Sequence, residues 1–399
     1  AEDGIRDYKV TGVQTCALPI SSSEPAPASS EPAAASDPAE PPRKFRWLVL
    51  PNFSYDSDDK VGVGVRGEVD LLEPGLDPYR SAFVVHLFLT TNGYHHHRFR
   101  FDLVGLGPEQ RSRVTGHFAF RAWLHDGYWG IGNGTVREVR YDDYPADDPR
   151  HDRYHYALIQ PFGQVAWRHE LVGPLSIYTS FNMRYSIIDA PEGSLLEEEK
   201  PLGYDGGVGI QLIGGVMWDT REPEVTPERG WLLEASGRGV TGTYSFGGPF
   251  LSARTYVSLG PRVVLAQRVM GEWLFGDVPF YEMVHWGGVV PIAGMGGADS
   301  VRGVAFGRWR APAKAASNTE LRVDVFTMKL FKQPLRAQVV PFVDVGTVWG
   351  AGSDELPPIP VHPAVGLGVR AIWAETIVGR LDRSEEHTSE LQSPCNLVC

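Results

Sequence analysis

Residues 61–71 read VGVGVRGEVDL, and this stretch decides the fold class of the chain. In an extended strand, side chains alternate between two faces, so each face carries every second residue. One face is apolar and the other is glycine or charged: Val61, Val63, Val65, Val69 and Leu71 against Gly62, Gly64, Arg66, Glu68 and Asp70. The apolar face meets a core in a soluble β-sandwich and meets lipid in a membrane barrel. The alternation alone leaves both possibilities open.

The same period-2 pattern recurs along the chain and is broken by clusters of Gly, Pro, Asn and Asp. Residues 117–124 (HFAFRAWL) and 320–326 (ELRVDVF) are further clear examples. The span with this alternating pattern runs from Arg43 to Asp382. At about 9–11 residues per spanning strand plus loops, it holds roughly fourteen to sixteen strands. One barrel accommodates them more simply than several sandwich domains, so we predict an all-β, transmembrane antiparallel β-barrel at residues 43–382.

Composition agrees with a barrel and excludes some functions. The chain has 45 glycines and 11% aromatic residues, as expected where strands curve and aromatic side chains sit at the bilayer interfaces. The net charge of -12 argues against nucleic acid as a partner, because phosphate binding needs a basic surface. The three cysteines lie near the ends, at Cys16, Cys395 and Cys399, without zinc-type spacing.

The two ends of the chain differ in composition from the span between them and lack its alternating pattern. Residues 21–42 are rich in Pro, Ala, Ser and Glu and are expected to form a disordered tether. Residues 1–20, with VTGVQTCALPI, and residues 383–399, with RSEEHTSELQSPCNLVC, can be written in codons as the two complementary forms of one sequencing-library adapter. We therefore expect both ends to be adapter-derived artefacts and give Cys16 no role.

Several short stretches resemble, in order, the BamA/TamA family of outer-membrane assembly barrels, also called bacterial surface antigens. LVLPNFSYDSDDKVGVGV is similar to the family's first strand, and GYWGIGNGT to an early strand end. WDTREPEVTPERGWLLE is similar to a hairpin whose pattern places Asp219, Arg221 and Gly230. GMGGADSVRGV is similar to the tip of the long sixth extracellular loop. NTELRVDV, PFVDVGTVWG, VGLGVRAIW and TIVGRLD are similar to later strands.

The resemblance implies a family pattern of 16 strands, with about 14–15 present here and the C-terminal strand missing. A chain cut in this way is expected not to insert as a closed barrel, because unpaired backbone groups in lipid are costly. The implied location is the bacterial outer membrane, and the implied role is non-enzymatic insertion or translocation of proteins, or of lipids. The implied partners are the lipid bilayer, client outer-membrane proteins or lipids, and periplasmic accessory proteins. No cofactor is implied.

The resemblance also implies a loop-tip lock. In the family the tip arginine folds into the lumen and pairs with acids on nearby strands. Carried over by motif, Val301, Arg302 and Gly303 form the tip, Asp344 is the acid, and Glu320 is a second one, with Phe342 and Gly346 in the motif around Asp344. Alternation puts Asp344 on the polar face opposite its two valine neighbours. The chain departs from the family at Val304, an aromatic position, where Phe306 could supply the packing.

Other interpretations stay open. A passive pore or surface receptor of the outer membrane is the main alternative, and a barrel enzyme or soluble β-sandwich binder is a third. His95, His96 and His97 invite a metal site, although in a strand only two share a face. The acids of residues 141–152 lack the spacing of a calcium loop and suggest a solvated acidic loop. Residues 193–203, GSLLEEEKPLG, suggest a charged loop.

Overall fold

The computed structural model describes residues 45–56, 59–73, 79–135, 143–223, 226–290, 292, 294–330, 333–350, 360–373, 377–386 and 395–398. The expected adapter segment 1–20 and the tether 21–42 lie outside these residues. So do parts of the 383–399 segment and of the acidic loop at 141–152.

The described chain is almost entirely β-sheet, with one short helix. Its elements, in chain order, are β1 Phe45–Asp56, β2 Lys60–Leu71, β3 Ser81–Thr90, β4 Tyr94–Leu106, β5 Ser112–Gly127, β6 His155–Val172, β7 Leu175–Asp189, α1 Leu195–Glu199, β8 Gly207–Asp219, β9 Gly230–Gly242, β10 Phe246–Gly260, β11 Val263–Trp273, β12 Phe275–Gly276, β13 Ala313–Leu330, β14 Gln333–Trp349, β15 His362–Trp373, β16 Ile377–Glu386 and β17 Cys395–Val398.

The strands form one antiparallel sheet in which long strands pair with their neighbours along the chain. β1 and β2, for example, pair without interruption from Phe45↔Leu71 to Asp56↔Lys60. A long connection, residues 277–312, follows β12, which adds two pairs to β10. The sheet then resumes because β11 pairs directly with β13.

Burial decides between the sandwich and the membrane barrel. In β2 the apolar residues are the exposed ones: Val61, Val63, Val65, Val69 and Leu71 are each at least 42% exposed. The charged residues of the same strand are the buried ones: Arg66, Glu68 and Asp70 are at most 7% exposed. Such an inverted pattern places the apolar face towards lipid and the polar face in an enclosed lumen. The predicted membrane barrel is confirmed.

The first and last long strands are not paired with each other among the described residues. β17 pairs with β16 from Arg380↔Val398 to Arg383↔Cys395 and with β1 at Ser54↔Val398 and Tyr55↔Leu397. The sheet is therefore not closed there by a full-length strand. β16 continues as far as Glu386, four residues beyond the predicted barrel boundary at Asp382.

The two ends of the barrel differ in their connections. Residues 128–154, 190–206 and 277–312 are long connections at one end. The connections at the other end include the short turns 107–111, 173–174 and 261–262. In bacterial outer-membrane barrels the short turns face the periplasm and the longer loops face outwards. We call these the short-turn end and the long-loop end.

Helix α1 corrects the expectation of a simple charged loop at residues 193–203. The Ser194 side chain caps the helix by accepting a hydrogen bond from the Glu197 amide at 3.2 Å. Leu195 and Leu196 are buried in an aromatic cluster that includes Tyr128. The two leucines form the buried face of the helix. In the sequence they lie among charged residues, so the segment was interpreted as a charged loop. Among the described residues, no helix is long and apolar enough to cross a membrane.

Residues 277–312, which follow β12, fold back inside the barrel and are called the lumen loop below. Several of its large side chains are fully buried, including Trp286, Met295 and Trp309. They pack against inward-facing wall residues such as Phe250 and Met270 in one hydrophobic cluster. The lumen loop therefore has a core of its own inside an otherwise polar lumen.

Candidate functional site

The lumen loop holds its shape through short-range backbone contacts near its tip. The Trp286 indole donates to the Gly294 carbonyl at 2.8 Å, and the Gly297 amide donates to the Val304 carbonyl at 2.9 Å. The Ser300 hydroxyl accepts a hydrogen bond from the Gly296 amide at 2.9 Å. These contacts present residues 300–303 to the wall formed by β13, β14 and β16.

Arg302, at the tip, is joined to Asp344 on β14 by two parallel hydrogen bonds. Nε donates to Oδ2 at 2.7 Å and Nη2 donates to Oδ1 at 2.8 Å. The Arg302 backbone amide also donates to Oδ2 at 3.1 Å. A guanidinium and a carboxylate bonded in this way are fixed in both distance and orientation. The structure therefore brings together the two residues that the sequence placed at the centre of the lock.

Two more carboxylates and one aromatic ring surround the same guanidinium. Nη1 of Arg302 donates to Glu320 Oε1 at 2.7 Å and lies 3.4 Å from Asp382 Oδ2. The guanidinium carbon stacks 3.5 Å from the ring centroid of Phe342. Glu320 was expected as the second acid, whereas Asp382 and the stacking of Phe342 were not anticipated. All the hydrogen-bonding nitrogens of the guanidinium therefore have an acidic partner.

Two glycines, one in the loop tip and one on β14, explain why the loop tip can approach the barrel wall so closely. Gly303 has a φ of +100°, a left-handed conformation that favours glycine, and a Cβ there would lie 3.0 Å from Ser384 Oγ. A Cβ on Gly346 would lie 2.5 Å from the Cγ2 of Val301, which is only 1% exposed. Val301, Gly303 and Gly346 thus form the packing side of the contact.

A second layer of side chains holds the acids in place. Arg370 Nη2 and Arg322 Nε donate to the two oxygens of Glu320 at 2.7 and 3.2 Å. Asn318 Nδ2 donates to Asp344 Oδ1 at 2.8 Å and also to the Ser300 carbonyl. Asn318 and Arg322 share the polar face of NTELRVDV with Glu320, so alternation could have identified them.

The charge balance keeps Arg302 ionised although it is only 4% exposed. Burial alone would lower the pKa of its guanidinium, but the carboxylates of Asp344, Glu320 and Asp382 raise that pKa well above its ordinary value. A buried cation is tolerated only when it is paired and hydrogen-bonded in this way. The loop tip is held by charge-assisted bonds that water does not screen.

Acidic residues of the barrel strands also hydrogen-bond the lumen loop at a second place, which the sequence analysis did not predict. Glu272 Oε1 accepts from the Gly287 amide at 2.9 Å, and Glu234 Oε1 accepts from the Val289 amide at 2.7 Å. Lys314 Nζ lies 2.6 Å from the other oxygen of Glu272. These acids bond backbone amides, so no side-chain motif in the loop marks the contact.

Val304 and Phe306 do not share one role. Val304 is 4% exposed and belongs to the lumen-loop cluster. The ring of Phe306 stacks on Trp123 of β5, with centroids 5.7 Å apart. Phe306 thus packs on the β5 wall, while the ring beside the Arg302 guanidinium is that of Phe342.

The hairpin motif lies apart from the tip, in the turn between β8 and β9. Arg221 Nε and Nη2 donate to the two carboxylate oxygens of Asp219 at 2.9 and 2.8 Å. Gly230 has a φ of +101°, and a Cβ there would lie 2.1 Å from the Thr220 carbonyl oxygen. The contacts that these motif residues make lie within this turn, so the motif shapes the turn and is not part of the Arg302 site.

The other candidate sites hold no convergent set of ligands in the part of the chain that the structure describes. His96 is buried in the lumen beside Tyr94, whereas the rings of His95 and His97 lie 6.0 Å apart on the other face of β4. No group of three or more His, Cys, Asp or Glu residues that could hold a metal was found there. In the acidic loop, Asp148 is bonded to Arg150 at 2.7 Å.

Comparison with known proteins identifies the domain. The family described as the Omp85 superfamily domain matches residues 175–375, about half of the chain and the part that contains the lumen loop. No match was found among curated protein sequences.

Two solved structures have a similar fold. One is BamA from Haemophilus ducreyi lacking POTRA domains 1–3, with 12% identity, a TM-score of 0.57, and coverage of 88% of this chain and 69% of that one. The other is CdiB from Escherichia coli, with 12% identity, a TM-score of 0.59, and coverage of 90% of this chain and 63% of that one. The chain thus spans less than two thirds of the length of CdiB. At this identity the likeness shows the fold.

Proposed function

The chain belongs to the Omp85 superfamily and is an outer-membrane β-barrel, and we propose that it inserts polypeptides into the outer membrane or moves them across it, as a barrel of the BamA/TamA type. We propose no catalytic reaction and no cofactor. The partners in this proposal are the lipid bilayer, unfolded client outer-membrane proteins or lipids, and periplasmic accessory proteins.

The contact that supports this proposal most is that of Arg302 with Asp344, Glu320 and Asp382. It fastens a 36-residue loop across the inside of the barrel, residues 277–312. A loop that fills the lumen obstructs an open pore, whereas a barrel that handles polypeptides needs a lumen that stays sealed between events. We propose that the lock holds this sealed state and fixes the position of the wall strands around it.

The alternative is a passive pore or surface receptor in which the lock only holds a plugging loop. Two measurements separate the possibilities. A stable, open channel in planar bilayers that is unchanged by Arg302→Ala would favour the pore. Accumulation of unassembled outer-membrane proteins when the protein is depleted from its host cell would favour assembly, and normal levels of those proteins would contradict it.

A further inference from the structure

The turn between β8 and β9 leans inwards at the short-turn mouth of the lumen. It comprises residues 220–229. Its middle folds inwards, because Thr226 is only 7% exposed and Pro227 is also buried. The bonds of Asp219 with Arg221 and the left-handed Gly230 fix the two ends of this turn.

A pocket lies between the turn and the inner faces of neighbouring strands. The turn contributes Thr226, Pro227 and Glu228, and strands β11, β13, β14 and β15 contribute Val264, Arg322, Arg336, Gln338, Arg370 and Ile372. In the sheet, β10, β11 and β13 lie between the hairpin of the turn and β14. The turn therefore leans inwards over the ends of these strands to reach Arg336 on β14.

Three guanidinium groups line this pocket, and Glu228 is the one acidic residue among the lining residues that the structure describes. Glu228 Oε1 lies 2.6 Å from Nη1 of Arg336, and the Thr226 hydroxyl lies 3.4 Å from Nη2. The pocket thus already holds a carboxylate on a short peptide segment, and that segment comes from the chain itself.

The charges around the pocket are balanced only while Glu228 is in place. Arg322 and Arg370 are 4% and 1% exposed, and both bond Glu320. Asp324 Oδ2 lies 3.4 Å from Arg336 Nη1, so Glu228, Glu320 and Asp324 offset the three arginines of the pocket. When Glu228 leaves Arg336, one positive charge is no longer offset, and a carboxylate of similar geometry restores the balance.

The contact that Glu228 makes is suited to exchange. The side chain of Glu228 is 48% exposed and that of Arg336 is 21% exposed. An ion pair with this much contact with water is weak, because solvent screens it and both long side chains lose freedom. A second carboxylate of similar geometry can therefore compete with it.

We propose that this pocket is a carboxylate-binding site for an acidic, extended peptide segment, and that Thr226, Pro227 and Glu228 occupy it in cis. The site lies at the end where the short turns face the periplasm, so a peptide reaches it from that side. Identification of this peptide as part of a client rests on the proposed function; the existence of the site does not.

The test is peptide binding to the full chain in detergent, measured by fluorescence anisotropy. The probe is a rhodamine-labelled peptide with the sequence of residues 222–228, EPEVTPE, and its control has glutamine in place of each glutamate. Glu228→Ala removes the cis carboxylate. Glu222→Ala is the matched control, because Glu222 pairs with Arg229 in the same turn and is not part of the pocket lining.

Glu228→Ala should bind the acidic peptide about threefold or more tightly than the unaltered chain, while Glu222→Ala should not, since loss of a weak competing pair frees the site. Arg336→Gln in the Glu228→Ala background should abolish this gain in peptide affinity. Heat-modifiable gel mobility checks that each variant is folded. Equal affinity of Glu228→Ala and the unaltered chain, or equal binding of the glutamine peptide, would overturn the proposal. Peptide binding without client insertion would instead refute the proposed function alone.

Discussion

Replacement of Arg302 by alanine should destabilise the barrel more than loss of any exposed arginine. The substitution removes four side-chain contacts: two to Asp344 at 2.7 and 2.8 Å, one to Glu320 at 2.7 Å and one to Asp382 at 3.4 Å. It leaves three carboxylates that are almost fully buried without the cation at their centre. Breaking a buried ion pair by removing one partner costs about 3–5 kcal/mol, which we expect here.

Urea unfolding in detergent, followed by tryptophan fluorescence, measures the free energy of unfolding of each variant. Arg302→Lys keeps the charge but not the two parallel bonds, so it should lose about 1–3 kcal/mol. Arg302→Ala combined with Asp344→Asn should cost less than the sum of the single changes, because the second removes a charge that the first leaves buried.

Two results would refute this reasoning. A loss of less than about 1 kcal/mol for Arg302→Ala would mean that Arg302 behaves as a solvated surface arginine. Strict additivity with Asp344→Asn would mean that the two side chains do not interact in the folded protein. Either result would remove the lock from the account.

Three further changes test other parts of the structure by urea unfolding, the first two in detergent and the third in lipid bilayers. Gly346→Ala should cost about 1–3 kcal/mol, because its Cβ would lie 2.5 Å from Val301 Cγ2; an unchanged midpoint would show that the tip is not seated there. Gly230→Ala should cost about 1–3 kcal/mol, because φ is +101° and the Thr220 carbonyl is 2.1 Å from the new Cβ. Leu212→Arg, at a position 61% exposed in mid-strand, should cost about 2–4 kcal/mol in lipid bilayers, and a neutral effect would contradict a lipid-facing position.

Local alternation was sufficient to predict the strands and their polar faces, but not what each face meets. The pattern Val61 to Leu71 has the same form whether the valines meet protein or lipid. The burial of Arg66, Glu68 and Asp70 distinguished the two, and burial depends on how the whole sheet curves around its lumen. Strand number and length, summed over the chain, were the sequence features that favoured the barrel.

The central pair of the candidate site was predictable, but its surroundings were not. Asp344 and Glu320 are on the polar faces of their strands, and the family resemblance linked them to Arg302. Asp382 lies on β16, two strands away from Asp344 on β14, and reaches Arg302 only because the lumen loop brings the guanidinium between these strands. It also lies at the end of the predicted barrel span, where the sequence pattern gives least information.

The hydrogen bonds to the lumen loop at Gly287 and Val289 show a second limit of prediction from sequence. Glu272 and Glu234 bond the backbone amides of these residues, so the loop sequence carries no signature of the contact. The position of Phe306 on Trp123 likewise depends on the path of the loop through the lumen. Contacts of this kind follow from tertiary structure and are invisible to residue patterns.

The most direct test of the central claim is client folding in liposomes by the purified chain with a full-length closing strand restored in place of residues 383–399. Unfolded eight-stranded outer-membrane protein is added, and its folding is followed as the heat-modifiable, protease-resistant form. Liposomes that contain the chain should fold the client faster than empty liposomes, and the Arg302→Ala variant, reconstituted to the same level, should lose this acceleration. Equal folding rates in all three preparations would contradict the account.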